Sequence, residues 1–530
     1  GLPFPLTIAS RLSRSDGRGN TLVTDFEYAD GLFAGRTLRG FGWMRRQPST
    51  GMRTEMVFYQ DEIRTGRPVE VSSFDTSGML RQRTTFDVGP VAAASHVPQV
   101  QLRAVDQEGF DPGGAEGETH SRTVNTYDDR LQIVEVTRDP IVGPSGDESR
   151  TTTTYARHST AEAAGIWSLP VMSRTFGPDN ELLTEQINLY DGLPQGQASK
   201  GLASQNREMV RSGVYLEKSF EYDAYGNPVK VVDREGQESK FSYDAATSTF
   251  LVAAEDALGR TSSSVHDPRF GTLMRNEDAS GNATITEYDS FGRISRVVRP
   301  GNEASPTGST QFSYSPVGDP QQQFIHMMVA ETAAGDELTE STIMFDGWGN
   351  IYEAYNEGSA DKTVVSLYQF DQAGLIQSQT LPFFLGDSPV VATTERDDLG
   401  RPAEIIDPLG QSAMLDYRGR KVNVTDPRGN STSFSYDPTG NVAQVSKEVG
   451  DEIQDTRYDY DVLGRLVKVT DALGNETLIS YDMLGRRTRL EDPNAGTFEY
   501  RYDNEGRLIE QIGPDESSML LRYSATGDLL

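Results

Sequence analysis

Along the C-terminal part of the chain an aspartate followed closely by a glycine recurs every 10 or 11 residues. The clearest run is Tyr460-Asp461-Val-Leu-Gly464-Arg465, Asp471-Ala-Leu-Gly474-Asn475, Tyr481-Asp482-Met-Leu-Gly485-Arg486, Asp492-Pro-Asn-Ala-Gly496 and Tyr502-Asp503-Asn-Glu-Gly506-Arg507. Aspartate accepts a hydrogen bond from the backbone two residues on, and glycine supplies positive φ without steric cost, so each pair nucleates a tight turn. The six or seven residues between turns are the length of one ordinary strand. Within them polarity alternates: Thr477, Ile479 and Tyr481 fall on one face, Leu478 and Ser480 on the other. Two turns and two strands make a 21-residue hairpin, and the repeat makes a meander of hairpins.

The same pattern fixes the organisation of the rest. Residues 216–530 form a regular array that includes Tyr222, Asp223 and Gly226, then Tyr288, Asp289 and Gly292, then Tyr436, Asp437 and Gly440. Residues 61–215 carry strand signals at irregular spacing, as in Arg81-Gln-Arg-Thr-Thr-Phe86 and Thr151-Thr-Thr-Thr-Tyr155, with a loop expected over Gly109 to Glu118. Ala161 to Ala164 could begin a short helix. Residues 1–60 form a distinct β-rich lead-in, with strands expected over Leu6 to Ser10, Thr24 to Tyr28 and Arg36 to Phe41.

A magnitude narrows the architecture to all-β forms that curl. At one strand per turn interval, the regular array holds roughly 30 strands, about 144 Å of sheet at about 4.8 Å per strand. Open sheets rarely exceed ~10 strands without curling or splitting. Rolled once, this sheet would enclose a hollow roughly 46 Å across, beyond what side chains can fill. The alternative is a β-propeller, whose blades take about 40–45 residues, close to two hairpin units. Against it, no odd-to-even alternation distinguishes neighbouring units.

The formal net charge of −30 argues against a nucleic-acid surface and against anionic membranes. There is no cysteine, hence no disulfide or thiolate metal site. No apolar run of membrane-spanning length and no signal peptide is present. Because the chain begins at Gly1 and ends just past another turn, it is expected to be a piece of a longer polypeptide.

No catalytic, cofactor-binding or metal-binding residues stand out. Stacked turn aspartates could bind calcium, but the loops lack the alternating oxygen ligands of known calcium loops, so structural turns are expected. His96, His120, His158, His266 and His326 are scattered without a ligand spacing. The recurrent tyrosine before each turn could stack on sugars or grip a cargo; cross-strand aromatic packing is the expected role. An enzyme would need two carboxylates converging in a cleft.

Many Y-D-x-x-G-[RN] units alternating with D-x-x-G units resemble the RHS/YD-repeat family across at least residues 216–530. Tyr28-Ala-Asp-Gly31 followed by Arg36-Thr-Leu-Arg39-Gly40-Phe41-Gly42 is similar to the segment leading into the shell of Tc-type toxin B/C subunits. The resemblance implies a hollow, cocoon-like β-shell around a C-terminal toxin or effector polypeptide, with kinship to teneurins and wall-associated proteins. It implies a secreted or cell-surface bacterial protein, and as partners the encapsulated polypeptide or other toxin-complex subunits. The alternative is an adhesion or glycan-binding module. The family's closing segment ends in a D-P-x-G-L-like autoprotease motif. Here Gln411, Asn430 and Asn441 follow Asp407-Pro-Leu-Gly410, Asp426-Pro-Arg-Gly429 and Asp437-Pro-Thr-Gly440. These are expected to be repeat turns and the protein a non-enzymatic scaffold with a mostly hydrophilic lumen.

Overall fold

The computed structural model describes residues 8–34, 37–90, 100–110, 119–140, 146–157, 165–302, 309–315, 322–330, 338–359, 362–450 and 452–530. Among them there is no α-helix, and the segment at 161–164 lies outside them. Forty-one strands join one sheet. Successive strands pair antiparallel, each with the one before and the one after, as Leu466–Thr470 does with Glu452–Tyr460 and Glu476–Tyr481. Two short elements depart from this. Phe33–Ala34 pairs with Thr37–Leu38 as a side hairpin, and Phe383–Phe384 doubles back on Thr363–Phe370. Among the described residues the first lead-in strand is Arg11–Ser15. Of the strand expected over Leu6 to Ser10, residues 6–7 lie outside the described residues and 8–10 outside any strand, and Thr24 to Tyr28 lies within Thr21–Ala29.

The sheet does not close on itself among the described residues. Arg11–Ser15 bonds only Thr21–Ala29, and Ser518–Leu520 only Leu508–Ile512. Instead it spirals, because turns far apart in sequence touch. The Gly347 N–H donates to the Asp16 carbonyl at 2.6 Å and the Met483 N–H to the Val210 carbonyl at 3.3 Å. The Arg234 N–H donates to Glu505 Oε1 and the Asn504 N–H to Glu235 Oε1, each at 2.5 Å. In all three places twenty-three strands of the sheet separate the touching turns, leaving out the short Phe383–Phe384. One coil therefore spans about 110 Å of sheet at about 4.8 Å per strand, or a diameter of about 35 Å. That is narrower than a single roll of the whole regular array, since the upper coil rides on the edge of the lower instead of widening it.

The wall is one layer thick. Accessible surface is 30403 Å², against about 19,000 Å² for a compact monomer of this mass. The excess means that both faces of the sheet meet solvent, which radial blades or a filled two-layer sandwich would prevent. Side chains reach about 5 Å from each face, half the usual spacing of packed sheets, leaving a free width of about 25 Å. The described apolar core is correspondingly small: Ala156, Val171, Tyr190 and Ala198 cluster beside the loop after Leu182–Tyr190.

Register divides the residues into two unlike faces. On one, which bears the repeat tyrosines, Val422 faces Phe434, Phe434 faces Val445 and Val445 faces Thr456. Ile479, Leu490 and Phe498 form a similar row. The other face carries Asp459, Lys468, Leu478 and Glu491 in one row and Arg489 opposite Glu499 in another. In Glu238–Tyr243, Thr261–Asp267, Ser412–Arg418 and Glu476–Tyr481, residues of the tyrosine face are half-buried or buried where most of their neighbours on the charged face are exposed.

Candidate functional site

Each turn is built around its aspartate. In 482–486 the Asp482 N–H donates to the Arg486 carbonyl and the Gly485 N–H to the Asp482 carbonyl, both at 3.0 Å. Asp482 Oδ1 accepts the N–H groups of Leu484 and Arg486 at 3.0 and 2.9 Å, and Oδ2 accepts Arg486 Nε at 2.6 Å. Gly485 sits at φ +80°, where a side chain is strained. The turns at Asp223–Gly226, Asp289–Gly292, Asp437–Gly440, Asp461–Gly464 and Asp503–Gly506 share the bond from glycine N–H to aspartate carbonyl. Where asparagine ends the turn, its amide replaces the arginine, as Asn441 Nδ2 does at 3.1 Å from Asp437 Oδ2. Asp407 and Asp426, in two of the D-P-x-G stretches, make the same turn. Asp482, Asp437 and Asp426 use both carboxylate oxygens in their own turns, and among the described residues no group of His, Asp and Glu could hold a metal ion.

The tyrosines do something the sequence pattern does not reveal. Register with the following strand shifts at each of Tyr222, Tyr288, Tyr436, Tyr460, Tyr481 and Tyr502, and five of the six rings reach the preceding strand. There the hydroxyl donates to a strand-end carbonyl: Tyr222 to Ala203, Tyr288 to Leu273, Tyr481 to Leu466 and Tyr502 to Arg487, each at 2.8 Å, and Tyr460 to Val442 at 3.0 Å. The strands joined by the turn at one end are thus clamped at the other. Arginine adds a rung between clamps. Arg465 lies over the Tyr481 ring, Arg486 over Tyr502 and Arg507 over Tyr523, at 5.1, 5.1 and 4.9 Å. Arg465 and Arg486 also donate to the carbonyls of the next turn's aspartates, Asp482 and Asp503, at 3.1 and 3.0 Å. Cross-strand aromatic packing is therefore not the tyrosines' main contact: the described ring pairs are Tyr28 with Phe41 and Phe250 with His266. The guanidinium rungs already occupy ring faces that a sugar would need.

The seam between coils is the other place where distant residues converge. Arg18 stacks on Tyr352 at 3.3 Å beside the buried Asp16 and Asp346. A cavity of about 880 Å³ lies where Leu182, Val210 and Leu216 face Met483, Tyr500 and Tyr502, and one of about 750 Å³ separates Asp147 from Tyr460 and Leu463. Elsewhere the buried carboxylates are consumed by structure. Glu185 is held between Arg174 and Tyr215, and its bond to Tyr215 raises that phenol above its usual range. Asp75 caps its own turn and pairs with Arg81. His120 pairs with Asp106 at 3.1 Å and His326 with Thr342 at 2.9 Å, while His96 and His158 lie outside the described residues. For the tyrosine clamps the sequence signals only that a ring recurs before the aspartate, not what its hydroxyl bonds; the seam contacts have no sequence signal.

A single-layer spiral whose turns repeat on Asp-x-x-Gly defines a β-shell, and its fold is similar to known YD-repeat shells. Residues 411–515 match the family model described as Teneurin YD-shell. The TcdB2-TccC3 crystal structure superposes on 97% of this chain with a TM-score of 0.79 at 15% identity, the chain covering 38% of that structure. The Tc holotoxin pore of Photorhabdus luminescens superposes on 97% with a TM-score of 0.79 at 14% identity, with 39% of it covered. A curated relative, the double-stranded DNA deaminase toxin A of Burkholderia cenocepacia, is 28% identical over 140 residues, which are 26% of this chain and 10% of that protein. The chain thus spans well under half the length of these relatives.

Proposed function

We propose that this chain is the wall of a container for a polypeptide, a toxin or effector, held out of contact with its surroundings until delivery. The observation that carries this is the one-layer wall around a free width of about 25 Å. A folded domain of 100 residues has a radius of gyration of about 13 Å, hence a diameter of about 33 Å as a uniform sphere. A cargo of that size would be kept from its compact fold by width alone. The toxins among the relatives support such a cargo, carried on the same polypeptide or supplied by another toxin-complex subunit, and a secreted or cell-surface bacterial setting. In this reading residues 1–60 lead into the wall, 61–215 form its irregular part and 216–530 its regular part. The repeat turns at residues such as Tyr481, Asp482 and Gly485 act structurally, and the wall has no catalytic role.

The test is protease protection of a polypeptide tail joined after Leu530. A tail cut much more slowly than the same tail alone, while lacking the amide dispersion of a folded domain, supports containment. A tail cut at the free rate from an intact wall refutes it. One observation favours a second reading, adhesion: Tyr225 and Phe291, both at turn tips, are 78% and 69% exposed. Carbohydrate binding lost on Tyr225→Ala and Phe291→Ala would support that reading.

A further inference from the structure

The two faces of the wall differ so much that they assign themselves to inside and outside. On a cylinder about 17 Å in radius, side-chain tips about 5 Å inward are crowded to roughly 0.7 of their spacing at the sheet, and tips outside spread apart. In four strands the shielded residues are those of the tyrosine face. The opposite face carries the ion-paired rows, such as Lys468 with Asp459 and Glu476, and Arg501 with Glu510. A chain of net charge −30 keeps itself dispersed by presenting such rows to bulk water.

We infer that the tyrosine-bearing face lines the lumen, and that it holds an unfolded polypeptide through apolar and hydroxyl side chains rather than charge. This rests on the containment reading and specifies the chemistry of that site. The rows Val422–Phe434–Val445–Thr456 and Ile479–Leu490–Phe498 contain no ionised group. In place of the mostly hydrophilic lumen expected of such a scaffold, this assignment gives a weakly apolar one. An extended chain buries its apolar side chains there, which favours its retention. Ionised side chains are sparse on this face, Lys218 beside Phe220 and Lys447 opposite Thr432 among them, so the cargo's net charge matters little and cargoes of either sign fit.

The cysteine-free chain permits a direct test. Ser262 and Ser263 are adjacent residues on opposite faces: Ser262 pairs with Ala254, which pairs with Phe241 of the tyrosine face, and Ser263 pairs with Ala253. In the full chain, Ser262→Cys and Ser263→Cys should both react with a small maleimide, the half-buried Ser262→Cys less than about threefold more slowly, since a thiol's reaction follows its exposure. A maleimide on a polymer coil wider than the lumen should modify Ser262→Cys at least about tenfold more slowly. The pair Thr477→Cys and Ser480→Cys repeats the test on another strand. A reduced, carboxymethylated and permanently unfolded polypeptide should then shift the emission of a dye on Ser262→Cys but not on Ser263→Cys. Its affinity should change less than about threefold between about 0.05 and 0.5 M salt, where exposed charges are screened. Equal or reversed polymer labelling overturns the assignment of faces and leaves containment standing. Shielded labelling without polypeptide binding keeps the assignment of faces and overturns the claim that the lining holds an unfolded chain, and binding lost more than about tenfold in salt overturns the apolar character of that lining.

Discussion

Replacing Asp482 by alanine should loosen the wall in two places, its own turn and a strand 273 residues away in sequence. The carboxylate accepts two backbone N–H groups and the Arg486 guanidinium, and the paired side chains are only 11% and 18% exposed. Bonds to a charged acceptor contribute about 1.5–3 kcal/mol each. Arg486 keeps its bond to the Asp503 carbonyl and its stack on Tyr502, so only the two backbone bonds are counted, at the lower end, a local loss of about 3 kcal/mol. In a sheet whose strands touch mainly their neighbours, such a loss opens a local unit rather than the whole. Amide hydrogen exchange should therefore speed about 100-fold around 482–486. Because the Met483 N–H donates to Val210 across the seam, faster exchange should also reach Ala203–Arg211. Asp471→Ala is the control. Asp471 has the same bonds, to Leu473, Asn475 N–H and the Asn475 side chain, but no cross-seam hydrogen bond to its turn is recorded. Faster exchange confined to 482–486 in Asp482→Ala, as in Asp471→Ala, would refute the docking of coil on coil.

Tyr481→Phe and Tyr502→Phe each remove one hydroxyl clamp and should cost about 1 kcal/mol of local stability, read as faster exchange at the strand ends near Leu466 and Arg487. Gly485→Ala meets only Arg465 Cδ at 3.9 Å and should cost about 1–2 kcal/mol for the left-handed backbone alone; Gly496→Ala also meets Pro514 Cβ at 2.5 Å and should cost more, a ranking that thermal unfolding checks. Asp278, Asp426 and Asp471 are held below the usual carboxylate range, chiefly by the side-chain amide of the following asparagine. A lowered folded pKa stabilises above the unfolded value of about 3.9 and loses that contribution as pH falls through the folded value. The melting temperature should therefore be flat from about pH 5 to 8 and fall below about pH 4; a decline beginning near pH 6 would point to other groups.

The repeat period carried nearly all of the architecture, because a turn residue every 10 or 11 positions leaves room for one strand and nothing else. Aspartate and glycine encode the turn locally, so 482–486 was legible before any coordinate. The clamp was not: tyrosine at a fixed position says that a ring recurs, but its partner, the Leu466 carbonyl, is a backbone group that every sequence has. The coil count was also hidden. It depends on where Asp16 meets Gly347 and Val210 meets Met483, contacts made by backbone atoms with no residue signature. The faces were half legible: Thr477, Ile479 and Tyr481 separate from Leu478 and Ser480 by alternation, but only curvature tells which set is shielded.

At the seam, the edge formed by turns led by tyrosine or phenylalanine meets the opposite edge of the coil below, as 503–507 meets 233–237 and Gly347 meets Asp16. A junction between unlike edges has no internal stop, just as head-to-tail contacts give open filaments rather than closed pairs. Adding hairpins therefore raises the height of the vessel and leaves its bore unchanged. Capacity grows linearly with gene length, in steps of one hairpin, and the largest object that can pass along the axis stays the same.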